Sequence, residues 1–336
     1  MLRAKIQQQY FSKIIKARAT ILLLINALSI VLLYVFIPPF RNITHALYML
    51  KYTGTIGLCA LGESFVILAG GGGIDLSIGS ILSLSGVMLY FLGKLMPLWF
   101  AVLLCIAFGG MLGSVNGVLI TRLRLPPFIV TLGTMFLYSG ISLGITKGVA
   151  YSGFPQSFGV LGNGVIGLVP IQTIVFLLIF AILYCVQLKT PFGIWVMAVG
   201  SNEHSARLLG VRPEHVRLAV YIVSGVLAAL SGVIMVSWLL TARPDAGAGY
   251  ELRALAAVVL GGVDLFGGAG SLFAVFLAVI LITLFQTGLQ LININPVWQL
   301  GGLGVLLIVV AMSSVRLSAF KKGGRVWKYF LLGKAG

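Results

Sequence analysis

Apolar runs long enough to cross a lipid bilayer follow one another along most of this 336-residue chain, and that succession limits what it can fold into. A spanning helix needs about 20 consecutive, mostly apolar residues, because the hydrocarbon core offers the backbone no water. Hydrophobic residues make up 59% of the sequence and charged residues 9%, with a mean hydropathy of +1.09; a soluble surface does not tolerate that balance. Strands of a membrane barrel would alternate apolar and polar residues with a period of two, and the runs 21–37 and 171–186 do not. The expected fold is therefore an all-α, polytopic membrane protein. Its breaks place about ten spans, at residues 20–37, 53–69, 74–92, 98–120, 128–145, 171–188, 215–240, a short one at 252–260, 272–291 and 297–312.

The formal net charge is +16, but Lys and Arg lie between apolar runs instead of forming a basic face interleaved with aromatics, so nucleic acid is not the expected partner. Positive charge marks cytoplasmic ends and is drawn to anionic inner-leaflet lipid. Arg3, Lys5, Lys13, Lys16 and Arg18 precede the first run, and Arg316, Lys321, Lys322, Arg325, Lys328 and Lys334 follow the last. This places both termini in the cytoplasm and predicts a basic tail at 1–19, one transmembrane domain at 20–313 and a second basic tail at 314–336. The first run is too long for a signal-peptide core and is expected to persist as a span. Cys59, Cys105 and Cys185 each fall within an apolar run and read as core thiols.

Two segments resemble one another: LAGGGGIDLSIGS (68–80) and VLGGVDLFGGAGS (259–271). Each joins apolar runs through glycines and a single Asp. Corresponding glycine-interrupted segments in two halves point to a transport pathway, because unwound backbone at membrane depth must be buried in protein or line a cavity; tight helix packing is the plainer alternative. Among the seven acids, Glu63 and Asp75 sit in or beside apolar runs, where an ionised carboxylate costs about 2.5–3.5 kcal/mol on insertion scales. Asp75 is placed to cap a half-helix starting at Ser77, to touch a solute, or both. Glu63 either accepts hydrogen bonds from solute hydroxyls or pairs with a neighbouring helix.

His45, His204 and His215 are scattered, so no metal site is readable, and no hydrolase constellation appears. The phosphate-loop signature is absent: Gly93-Lys94 and Gly333-Lys334 are followed by Leu and Ala. No enzyme and no cofactor in this chain is the expectation; if ATP drives it, ATP and Mg belong to another subunit. The polar connection GSNEHSARLLGVRPEHVR (200–217) reads as a short helix with Asn202 or Ser201 as N-cap and Gly210 at its end. Leu208, Leu209 and Val211 give it an apolar edge, while Glu203, Arg207 and Arg212 give it charge. That suits docking into a groove of a soluble partner, the alternative being a helix lying on the membrane.

These segments together resemble the bacterial permease family of monosaccharide ATP-binding-cassette (ABC) importers, of the ribose, galactose, xylose, arabinose and autoinducer-2 type. GGGIDLSIGS (71–80), PPFIVTLGTMFLYSGI (126–141), GSNEHSARLLGV (200–211), YELRALAAVVLGGVDLFGGAGS (250–271) and NPVWQ (295–299) carry the likeness, in that order. It implies a permease subunit that moves a sugar or sugar-like solute across the inner membrane by alternating access. The implied partners are a second permease copy or paralogue, an external solute-binding protein and cytoplasmic ATPases. It also implies that Asn202, Glu203, Ala206, Arg207 and Gly210 form the coupling helix that contacts the ATPase. The translocation pathway is expected at Glu63, Gly73, Asp75, Ser77 and Gly79, at Phe128, Thr131 and Thr134, and at Gly261, Gly262 and Gly267. The chain departs from the family pattern at Asp264, Phe266, Ala269 and Leu303. A secondary transporter using Glu63 or Asp75, a membrane scaffold, and a nucleoside or branched-chain amino acid permease are the competing readings.

Overall fold

The computed structural model describes residues 2–295, 298–299, 301–302 and 304–305. The span expected at 297–312 and the tail 314–336 lie largely or wholly outside them, as do Pro296 and Val297 of NPVWQ and Leu303. Among the described residues the helices run α1 (Leu2–Phe36), α2 (Ile43–Leu68), α3 (Ile78–Leu95), α4 (Leu98–Thr121), α5 (Pro127–Thr146), α6 (Val160–Asn163), α7 (Ile171–Lys189), α8 (Pro191–Ser201), α9 (Glu203–Leu208), α10 (Pro213–Leu239), α11 (Tyr250–Leu260) and α12 (Leu272–Leu291). Two antiparallel pairings of two-residue strands interrupt the otherwise helical fold, Tyr151–Ser152 with Thr241–Ala242 and Val165–Ile166 with Val169–Pro170.

Among the described residues seven helices are long and apolar enough to cross a membrane: α1 over Arg18–Phe36, α3, α4, α5, α7, α10 and α12. The expected count of about ten spans is not confirmed. Residues 252–260 belong to α11, which has only 11 residues, roughly half a bilayer crossing at about 1.5 Å per residue. The run at 53–69 is the end of a 26-residue helix that carries Lys51 and Glu63. Every residue of α2 from Thr53 onward is buried, so α2 need not be as apolar as a helix facing lipid.

Local sequence explains several boundaries. Asn42 caps α2 by accepting the Thr44 N–H at 2.9 Å. Pro127, Pro191 and Pro213 open α5, α8 and α10, positions where the missing proline N–H has no helical partner to lose. The α1 helix turns Leu24, Leu28, Val31 and Phe36 outward. It is pinned to α12 by Asn26, whose side-chain amide donates to the Leu277 carbonyl at 3.0 Å.

The bundle centres on α2, which α7, α10, α11 and α12 surround, and on the crossing of α4 with α10. At that crossing Gly109 and Gly113 face Gly225 and Tyr221 so closely that a Cβ on Gly113 would stand 2.2 Å from the Tyr221 carbonyl oxygen. Small residues let the two backbones meet, which replaces the hydrophobic driving force that lipid does not supply.

Candidate translocation site and coupling segment

The first glycine break turns the chain from α2 into α3. Gly70, Gly71 and Gly72 have φ values of +69°, +68° and +71°, a left-handed run that only glycine adopts without strain. The turn brings Asp75 back beneath Glu63, and both side chains are fully buried. The Asp75 N–H donates to Glu63 Oε1 and Oε2 at 3.2 and 3.1 Å. Asp75 Oδ1 accepts from the Ser77 N–H at 3.1 Å and the Ser77 hydroxyl at 2.6 Å, and Oδ2 from the Ser224 hydroxyl on α10 at 2.8 Å. Asn116 on α4 donates to Ser77 Oγ at 2.8 Å. Thr131 on α5 donates to the Ile74 carbonyl at 2.9 Å. Four helices thus converge on one loop.

Neither Glu63 nor Asp75 has an ion-pair partner among the described residues. Hydrogen-bond donors take that place, as a buried polar group requires. Asp75 does not cap α3: Ser77 is the N-cap residue and the helix begins at Ile78, so Asp75 instead holds the Ser77 N–H and hydroxyl in the turn that leads into the helix.

Gly79, in the first turn of α3, lies against a second half-helix start. A Cβ there would stand 2.3 Å from both the Gly247 carbonyl oxygen and Glu251 Oε2. The Gly247 N–H donates to Ser83 Oγ on α3 at 2.8 Å, and the Gly249 N–H donates to Glu251 Oε1 at 3.1 Å at the start of α11. The Ser142 hydroxyl on α5 donates to the Pro244 carbonyl at 3.3 Å. Non-helical backbone is thus satisfied by protein inside the bundle, the arrangement found where broken helices face a transport route.

The second break lies beside the first. Gly261 packs on the α12 backbone at Val275, and Arg18 of α1 donates to the Gly262 carbonyl at 2.8 Å. Gly267 rests on Gly70, where a Cβ would stand 2.4 Å from the Gly70 Cα. Of the departures from the family pattern, Asp264 fastens its own turn: its Oδ1 accepts the Phe266 N–H at 3.0 Å, and its N–H donates to the Ala269 carbonyl at 2.8 Å. Phe266 is exposed.

Of the expected pathway residues, Glu63, Gly73, Asp75, Ser77, Gly79 and Thr131 come together around the first break. Thr134 is buried with its hydroxyl returned to the Val130 carbonyl, while Phe128 is half-exposed on the outer side of α5. The sequence reading did not include Asn116, Ser224 or Glu251. The signal for the first two was an Asn or Ser next to glycine inside an apolar run, in the pairs Asn116-Gly117 and Ser224-Gly225.

The segment expected to couple to an ATPase folds as α9. Asn202 caps it by accepting the Ser205 N–H at 2.9 Å, Ala206 is buried, and Gly210 ends it at φ +82°. Glu203 pairs with Arg207 at 2.9 Å and with Arg217 at 2.7 Å, and Arg207 also pairs with Glu214. Partial burial works against the charged Glu203 carboxylate, but hydrogen bonds from Arg207 and Arg217 outweigh it and hold the carboxyl below its ordinary value. Leu208 and Leu209 project outward, 76% and 81% exposed.

The family profile described as "Branched-chain amino acid transport system / permease component" matches residues 45–311. The ribose import permease protein of Bacillus subtilis is 36% identical over 286 residues, covering 84% of this chain and 88% of that one. The D-allose transport system permease protein of Escherichia coli is 36% identical over 274 residues, covering 80% and 81%. A probable ABC transporter permease protein of Sinorhizobium fredii is 34% identical over 288 residues, covering 84% and 83%. No solved structure matches the chain. The chain belongs to this permease family. It is a multi-pass inner-membrane transport subunit and not an enzyme.

Proposed function

We propose that this chain is the membrane permease of an ABC importer for a sugar or sugar-like solute, working by alternating access with both termini in the cytoplasm. The observation that carries the coupling part of this reading is α9: a capped helix braced by Glu203, Arg207, Arg217 and Glu214, presenting Leu208 and Leu209 to solvent. An apolar tip on a rigid, charge-braced base suits a groove in a soluble ATPase. The solute class rests on the ribose and allose permeases among its relatives. Polyhydroxylated solutes match a break lined by Ser, Thr, Asn and glycine backbone. ATP and Mg are handled by the partner ATPase, and an external binding protein delivers the solute to a pair of permeases.

The test is to purify the chain from its native membrane, unchanged and as the Leu208→Glu, Leu209→Glu double variant, and to identify what accompanies it. Co-purification of an ATPase with the parent and its loss from the variant supports the reading. Proteoliposomes holding the co-purified complex should take up labelled ribose or allose only with ATP inside. A parent that comes without an ATPase overturns it.

A further inference from the structure

Three separate chain segments meet backbone to backbone beside α9, and all three meet at glycine. Gly70 ends the α2 turn, Gly200 lies in the last turn of α8, and Gly267 with Gly268 forms the bend of the second break. A Cβ on Gly200 would stand 2.0 Å from the Leu68 carbonyl oxygen and 2.4 Å from the Gly268 nitrogen. A Cβ on Gly70 would stand 2.7 Å from the Gly200 Cα. The contact is bonded as well as close: the Gly268 N–H donates to the Leu68 carbonyl at 2.9 Å, and the Ser201 hydroxyl donates to the Gly268 carbonyl at 3.2 Å. Asn202, the cap of α9, is the next residue along the chain.

Arg217 makes a second link. Its Nη2 bonds Glu203 of α9 at 2.7 Å, and the same guanidinium lies over Gly71, where a Cβ would stand 2.6 Å from Nη2. Any displacement of α9 therefore reaches the first break by two routes, through Ser201 and Gly200 and through Arg217. The first break holds Asp75 and the start of α3; the second leads into α12.

We propose that Gly70, Gly200, Gly268 and Arg217 form the joint that transmits movement of α9 to both glycine breaks. Gly70, Gly200 and Gly268 are positioning residues for solute transport and lie apart from the outward face of α9; Arg217 also braces α9 through Glu203, so its variant is read by uptake per ATP hydrolysed and not by ATPase retention. The inference rests on the coupling role proposed for α9. Glycine is required because the joint transmits force only if the backbones touch, and packed contacts of this kind shift between discrete arrangements. A methyl group at Gly200 forces the three segments apart and leaves the outward face of α9 unchanged.

The experiment uses the intact importer, permease with its co-purified ATPase and binding protein, in proteoliposomes with labelled ribose or allose as probe. Gly200→Ala, Gly268→Ala and Arg217→Gln are compared with a control, Gly133→Ala, whose added Cβ meets nothing within 4 Å. ATPase retention, ATP hydrolysis and uptake are measured together. Retained ATPase and hydrolysis with uptake per ATP reduced by about tenfold, the scale of a coupling free energy between sites, supports the joint. Arg217→Gln keeps the test open if the glycine variants fail to fold, since it adds no atoms to the contact. Uptake per ATP within about twofold of the parent in Arg217→Gln and in every glycine variant that folds overturns the joint, being below the usual range of such couplings. Loss of the ATPase from the parent itself removes the coupling reading first, and the joint with it.

Discussion

The main-chain N–H of Asp75 is shared between the two carboxylate oxygens of Glu63, 3.2 and 3.1 Å away. One buried acid thus positions the loop that carries the other, and the second acid's own side chain ties that loop to α3 and α10. The pair works as a structural unit whose two members have different tasks.

Asp75→Ala strips Ser77 and Ser224 of their acceptor in a site without water-facing alternatives, which costs about 1–3 kcal/mol by the usual penalty for unpaired buried groups. A lower melting temperature in detergent and loss of uptake are expected. Asp75→Asn, which keeps one acceptor oxygen, should melt between the two. Equal melting of parent and Asp75→Ala would remove the loop-fastening role.

Gly113→Ala inserts a methyl group 2.2 Å from the Tyr221 carbonyl oxygen at the α4–α10 crossing. Forcing apart packed backbones costs about 1–3 kcal/mol. Gly144→Ala, whose added Cβ meets nothing within 4 Å, should leave thermal unfolding unchanged or slightly raised, as expected for removing glycine from a helix. The contrast between the two variants is the measurement.

Asn202→Ala removes the N-cap of a six-residue helix, at a cost of about 0.5–2 kcal/mol. Titrating ATPase onto nanodisc-held permease should show affinity lower by up to about thirtyfold, since about 1.4 kcal/mol is a factor of ten. Asn202→Ser, also a good cap, should restore most of it.

The Glu203 carboxyl is held below its ordinary value against the pull of partial burial, by hydrogen bonds from Arg207 and Arg217. A depressed folded value means the stabilisation is complete above the unfolded carboxyl value, about 4.3, and is lost as pH falls through the folded one. Hydrogen exchange of α9 amides should therefore be insensitive to Glu203 titration at neutral pH and rise under more acidic conditions, with Glu203→Gln removing the acid-dependent step. Because these pairs are partly exposed, the protection should also weaken with salt.

Features set by neighbouring residues were legible in the sequence. Asn202 ahead of an amphipathic turn and Gly210 at its end follow from capping chemistry, and the structure has both; the Asp75–Ser77 contact is equally local, but it fastens the turn before α3 and does not cap the helix. Partners brought from afar were not legible: Ser224 reaches Asp75 across 149 positions, and Gly200 meets Gly70 only because α8 folds under α2. Among the described residues the span count is not confirmed where hydropathy and burial part company. α2 is polar for a membrane helix because protein surrounds it, and residues 252–260 form a half-length helix because the chain enters them from a loop held inside the bundle.

The burial of α2 also bears on how the chain is made. This helix is synthesised second, long before α10, α11 and α12, which enclose it in the finished fold. Until they emerge, Glu63 lacks the protein that surrounds it in the finished fold, where exposure of an ionised carboxylate to lipid would be costly. The final surroundings of α2 are therefore completed only when the last of the helices that enclose it have been made.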